Sequence, residues 1–125
     1  MVLELLKNEY SIYKFSPEYT VGENIFMEEF INITKTEEEL SIVAPVNKFN
    51  DFIAVENGWK ILKIEGILDL GLIGILSKIS GILANENISI FAMSTYNTDY
   101  IMVQEKNIKK ALDILIKNQY EIKSY

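Results

Sequence analysis

Between Gly58 and Val103 the hydrophobic pattern changes period several times, and each change marks an element. Trp59 to Glu65 is a short apolar run with β-branched residues, which predicts a strand. Gly66, Asp69, Gly71 and Gly74 then cluster where the chain must turn. From Leu72 the apolar positions 72, 75, 76, 79, 82 and 83 share one helical face, so the spacing predicts a helix over 70–86, stopped by Asn85 and Asn87. Ile88 to Tyr96 and Tyr100 to Gln104 flank Asn97-Thr98 and predict two hairpin strands. Asn107 is placed to cap a helix with the stripe Ile108, Ala111, Leu112 and Leu115, leaving Lys109, Lys110 and Asp113 to water. Asn118 reads as a left-handed stop, and Tyr120 to Tyr125 alternates like a closing strand. The order is βαββαβ. It predicts an α+β, ferredoxin-like fold, a four-stranded antiparallel sheet with both helices on one face.

The first half is less regular. Val2 to Leu6 and Tyr10 to Phe15 read as strands, Pro17 to Asn24 is turn-rich, and Phe26 to Ile33 fits a helix or a strand equally. Thr36 and Glu39 have the spacing of a helix-capping box, but Leu40 to Val43 is a strand pattern, so a tight turn is expected there. Ala44 to Asn57, with Pro45, Asn47 and Asn50, reads as a linker whose Phe49, Phe52, Ile53 and Val55 pack in part. A weak repeat joins the halves: FINITKTEEELSIV at 30–43 lies over IFAMSTYNTDYIMV at 90–103, matching Thr34 to Ser94, Glu39 to Asp99 and Val43 to Val103. The expected division is an N-terminal unit over 1–56, a shorter and degenerate version of the second, and a C-terminal unit over 57–125.

Composition narrows the chemistry. The 125 residues suffice for one compact unit or two very small ones. Twelve lysines face eighteen acids for a net charge of −6, and arginine is absent, so nucleic acid is not the expected partner. With no cysteine and no histidine, disulfides, thiol nucleophiles and the usual zinc ligands are excluded, as is the readiest proton carrier at neutral pH. Neither MVLELLKNEY nor any later apolar run reads as a signal peptide or membrane span, and a cytoplasmic protein is expected. The run Glu37-Glu38-Glu39 lacks the spaced oxygen ligands of a calcium loop and reads as a solvated turn. No metal and no cofactor are expected.

Three motifs, EELSIVAP at 38–45, GILDLGLIGIL at 66–76 and IFAMSTYNTDYIMV at 90–103, resemble the ACT-domain superfamily, specifically its CASTOR-type branch of tandem ACT proteins. The resemblance spans essentially the whole chain and implies two ACT-like units, a regulatory role and an amino acid or similar small ligand. It also implies a ligand seat at an interface between units, near the loop from first strand to first helix. Carried over by position, the loop is Leu68, Asp69, Leu70 and Gly71 with Gly74 following, and the facing strand end is Ser94, Thr95, Tyr96 and Asp99. The animal sensors of this branch hold four ACT units, whereas this chain has room for two, so a homodimer is expected. Nothing in the resemblance identifies arginine as the ligand.

The residues themselves support such a seat. Glycines 71 and 74 at a helix start leave backbone N–H groups unshielded, and these favour a carboxylate; Asp99 would hold an ammonium or guanidinium. A plainer reading makes Asp69 a helix cap, the glycines turn residues and Asp99 part of a turn. Tyr96 serves as pocket wall or sheet packing, Tyr100 reads as sheet packing, and Trp59 as core or interface. The outer face of helix 70–86 shows Ile73, Gly74, Ser77 and Gly81 with almost no charge apart from Lys78. A solvated helix face is normally rich in Lys and Glu, so this face is expected to meet another helix.

Three function classes follow. A ligand-binding regulatory or sensor protein accounts for the glycine loop, the polar strand end and the bare helix face together. A ligand-free assembly module that binds a protein partner is the alternative. An enzyme is not expected, because no catalytic residues converge: Asp69 and Asp99 are carboxylates with no nucleophile or second acid–base group beside them.

Overall fold

The structure, a computed structural model, describes residues 1–65 and 74–124. Its strands are β1 (Val2–Leu5), β2 (Tyr10–Phe15), β3 (Asn32–Lys35), β4 (Leu40–Pro45), β5 (Ala54–Ile64), β6 (Ile90–Ser94), β7 (Asp99–Gln104) and β8 (Glu121–Ser124). The helices are α1 (Ile75–Asn85) and α2 (Ile108–Lys117), with 3-10 turns at Glu23–Met27 and Glu105–Asn107. The chain divides into two compact units, Met1–Lys7 with Trp59–Tyr125, and Asn8–Gly58.

In the first of these, β5, α1, β6, β7, α2 and β8 follow the expected βαββαβ order. Leu3, Leu62, Ile64, Ile101 and Val103 from the sheet share one core with Ile79 and Leu83 of α1 and Ala111 and Leu115 of α2, so both helices lie on one face. The sheet differs from the four-stranded expectation. β1 is inserted between the first and last strands, antiparallel to β5 and parallel to β8, giving the order β6-β7-β5-β1-β8. The cause is packing: Leu3 is fully buried among Leu62, Ile64 and the helices, which holds the first seven residues with the C-terminal segment. One of the two helix stops also moved. Asn87, expected to end α1, takes the left-handed conformation there, but after α2 it is Gln119, not Asn118, that does so.

The other unit orders its strands β3-β4-β2, with Tyr13 opposite Ile42 and Phe15 opposite Leu40. Phe26 to Ile33, left undecided by its pattern, is part 3-10 turn and part strand. Ile25 from the turn is buried with Tyr13, Phe15, Leu40, Ile42 and Ala44, so a single turn fills the place of a helix. The linker residues Phe49, Phe52 and Val55 pack against this core, while Ile53 is exposed. Tyr10 is fully buried, its ring edge-on to Phe30. Burial pushes its pKa up to about 12. A phenol harder to ionise when folded contributes stability below its unfolded pKa of about 10, and that contribution is lost as pH rises through 12. Urea titrations at rising pH should show a loss of stability that starts near pH 10 in the wild type and is reduced in Tyr10→Phe.

Among the described residues no helix is long and apolar enough to cross a membrane.

Candidate functional site

The β6–β7 hairpin closes over four residues, Thr95 to Thr98. Thr95 N–H donates to the Thr98 carbonyl at 2.8 Å, the Thr95 hydroxyl donates to the same oxygen, and Thr98 N–H donates back to that hydroxyl. Thr98 is 4% exposed and its hydroxyl donates to the Ile64 carbonyl at 2.8 Å. The turn is thereby fastened to the last residue of β5. Sequence reasoning passed over Thr98, whose only signal was its spacing from Thr95. Thr98→Val should cost about 1–3 kcal/mol in urea unfolding, because it removes this buried bond.

Ser94 and Asp99 stand directly opposite in the ladder, and the Ser94 hydroxyl donates to Asp99 Oδ1 at 2.6 Å. Asp99 is half-buried, and its second oxygen has no partner among the described residues. The structure thus brings together Ser94 and Asp99. It spends the Thr95 hydroxyl on the turn, and it leaves Tyr96 97% exposed.

Leu68, Asp69, Leu70, Gly71 and Ile73 lie outside the described residues. Gly74 is described and corrects one expectation: it stands just before α1 rather than inside its first turn, with φ +81°. An L side chain is strained in that conformation, which accounts for glycine there. The helical ladder opens with Lys78 N–H on the Gly74 carbonyl, so the N–H groups of Ile75, Leu76 and Ser77 have no acceptor within the helix.

The outer face of α1 shows Ser77 and Gly81 exposed, beside a shallow groove of about 800 Å³. Ser77, Ser80, Gly81 and Ala84 form one wall, and Ser89 and Ile90 at the start of β6 the other. A Cβ added at Gly81 would meet nothing within 4 Å among the described residues, so no contact there explains this glycine, although glycine inside a helix costs about 1 kcal/mol relative to alanine. Among the described residues β6 pairs with β7 alone.

The proposed repeat has a structural counterpart, at a different offset. Thr36 N–H donates to the Glu39 carbonyl, the Thr36 hydroxyl donates to the same oxygen, and Glu39 N–H donates to that hydroxyl. This is the Thr95–Thr98 turn again, so Thr36 corresponds to Thr95 and Glu39 to Thr98. The constant offset had matched Glu39 to Asp99. In the ladders the residue after each turn is Leu40 in one unit and Asp99 in the other, so the carboxylate belongs to the C-terminal hairpin alone.

Residues 54–117 match the ACT domain family. Among solved structures, a protein from Agobacterium tumefaciens is similar at 26% identity and a TM-score of 0.90, covering 99% of this chain and 92% of that one. A Vibrio cholerae protein of unknown function, described as a possible transport protein, is similar at 20% identity and 0.71, covering 93% of this chain and 88% of its own. The regulatory subunit of aspartate kinase from Thermus thermophilus, in ligand-free form, is similar at 9% identity and 0.58, covering 88% and 92%. The last two likenesses are of fold alone. No curated protein matches the chain.

Proposed function

The chain belongs to the ACT domain family, typically a family of small-molecule-binding regulatory modules, and on that premise we propose that it is an amino-acid-binding sensor with no catalysis of its own. The proposed ligand is a free amino acid or similar polar metabolite, seated between the Leu68–Gly74 loop and the Ser94–Asp99 strand end. The observation that carries this reading is the Ser94–Asp99 pair: a carboxylate oriented by one hydroxyl, with an oxygen to spare, on a turn tied to the end of β5. Loop and helix-start N–H groups would take the ligand carboxylate and Asp99 its cationic end, while Thr95 and Tyr96 form the rim. We place the protein in the cytoplasm.

The N-terminal unit is read as a degenerate second ACT unit, which makes the chain a CASTOR-type pair. Its β2, β3 and β4 pair as β5, β6 and β7 do, and the two units share the threonine turn.

A thermal-shift panel of amino acids and nucleotides tests the ligand. A ligand at 100 times its Kd adds about 2.7 kcal/mol, worth roughly 3–6 °C for a chain of this size. A stabilising amino acid is expected; a broad panel without a hit favours the assembly-module alternative, for which the 97% exposure of Tyr96 speaks.

A homodimer is proposed on the outer face of α1 and the open edge of β6. Small residues let a second backbone approach, and an uncharged edge strand such as IFAMS is otherwise a liability. Gly81→Glu should shift sedimentation toward monomer with little change in unfolding. A wild type that is monomeric at tens of micromolar would remove this part of the reading.

A further inference from the structure

The unit Asn8–Gly58 carries a surface feature that the hairpin reading does not use. Its 3-10 turn leaves Phe26 66% exposed and Met27 86% exposed, side by side in the chain. A single exposed apolar side chain is ordinary, but two large neighbours on one turn call for a reason. The fold does not require them. Ile25, in the same turn, is buried and is the residue that fills the core.

The turn is held at several points. Ile25 N–H donates to the Gly22 carbonyl, and Glu28 N–H donates to the Ile25 carbonyl at 3.2 Å. Ile25 packs with Tyr13, Phe15 and Ile42 ahead of the exposed pair. Behind it, Phe30 is buried edge-on to Tyr10, and Glu28 forms an ion pair with Lys48. Phe26 and Met27 are thus presented from a backbone fixed on both sides, which lowers the ordering cost of an association.

The charge around the pair has one sign. Residues 15–34 include Glu18, Glu23, Glu28 and Glu29 but no lysine. Glu18, Glu23 and Glu29 are exposed and make no ion pair among the described residues. A second copy of this surface would meet it with like charge, and an anionic lipid surface would be repelled in the same way. A basic amphipathic helix complements it twice over. Its apolar stripe covers Phe26 and Met27 while the lysines or arginines beside that stripe meet the glutamates. The unbranched Met27 side chain adapts to the shape of what it meets.

We propose that the Phe26–Met27 turn is a docking surface for a basic amphipathic helix of a partner protein. The two apolar side chains supply the contact, and Glu18, Glu23 and Glu29 select for positive charge. The proposal does not rest on the ligand seat, and either can fail alone.

The probe is a synthetic lysine–leucine peptide patterned as an amphipathic helix. It is titrated into the full chain and followed by amide chemical shifts and by the anisotropy of a dye on the peptide. One control peptide has the same residues in an order that breaks the stripe; the other has glutamate for lysine. Shifts are expected over residues 22–30, with an affinity that falls as salt rises. Phe26→Ser combined with Met27→Ser should weaken the patterned peptide about 10-fold or more without moving the unfolding midpoint, since both side chains are exposed. Glu23→Lys should weaken it several-fold and flatten the salt dependence. Asp99→Ala should leave it unchanged, which separates this surface from the ligand seat. Shifts outside residues 15–34, equal binding of the reordered peptide, or full affinity in the double variant would each overturn the proposal. So would sedimentation showing self-association that the double variant abolishes, because the turn would then belong to a second copy.

Discussion

Alanine at Asp99 is expected to weaken the best amino-acid ligand about 10- to 100-fold, measured by calorimetry, without moving the unfolding midpoint. The size follows from the chemistry: a hydrogen bond to a charged group contributes on the order of 1.5–3 kcal/mol, and each 1.4 kcal/mol is tenfold. The fold should survive because Asp99 is half-buried at the end of a strand and its recorded side-chain bond is to exposed Ser94. Asp99→Asn sharpens the test. It keeps an oxygen for the Ser94 hydroxyl but removes the charge, so it should lose nearly as much affinity as alanine. Ser94→Ala leaves the charge and frees the carboxylate to rotate, so a smaller loss is expected. Full affinity in a folded Asp99→Ala protein would place the ligand elsewhere and sink the hairpin seat.

How much of this was legible in the residues depends on the range of the cause. The strand and helix order of the C-terminal unit follows from local periodicity, and α1 and α2 bury the stripe positions Ile79, Leu83, Ala111 and Leu115 that the pattern picked out. The position of β1 was not legible, because it depends on Leu3 finding Leu62 and Ile64 about sixty residues away. The 3-10 turn at Glu23–Met27 escaped for a different reason. It buries Ile25 alone and leaves Phe26 and Met27 exposed, so no period exists to be read. The likeness of the two hairpin turns was visible, but its register was not. Hydrophobic similarity tolerates a shift of one residue, whereas the hydroxyl bonds of Thr36 and Thr95 do not. At the candidate site, Ser94 and Asp99 were named for their place at the strand end, and the structure pairs them across the ladder. Thr98 was missed because its partner is a backbone carbonyl, which carries no signature in sequence.

The largest effect on stability is expected at Leu83→Ala, a loss of about 2–5 kcal/mol in urea unfolding and a fall in Tm on the order of 10 °C. Leu83 is fully buried in the one core that holds α1, α2 and the sheet of its unit together. Truncation removes three carbons from that core and leaves a cavity that a sheet and two helices cannot easily collapse. The backbone at this position is also occupied, since the Leu83 carbonyl accepts from both Glu86 and Ile88 where the chain leaves the helix. Helix propensity does not compensate: alanine is better than leucine by only a few tenths of a kcal/mol. Leu83→Met, which conserves most of the volume, should cost less than about 1.5 kcal/mol. A cost for Leu83→Ala no greater than that of Leu83→Met would mean that α1 is not held by this core. Its outer face, with Ser77 and Gly81, would then have no fixed orientation from which to meet a second chain.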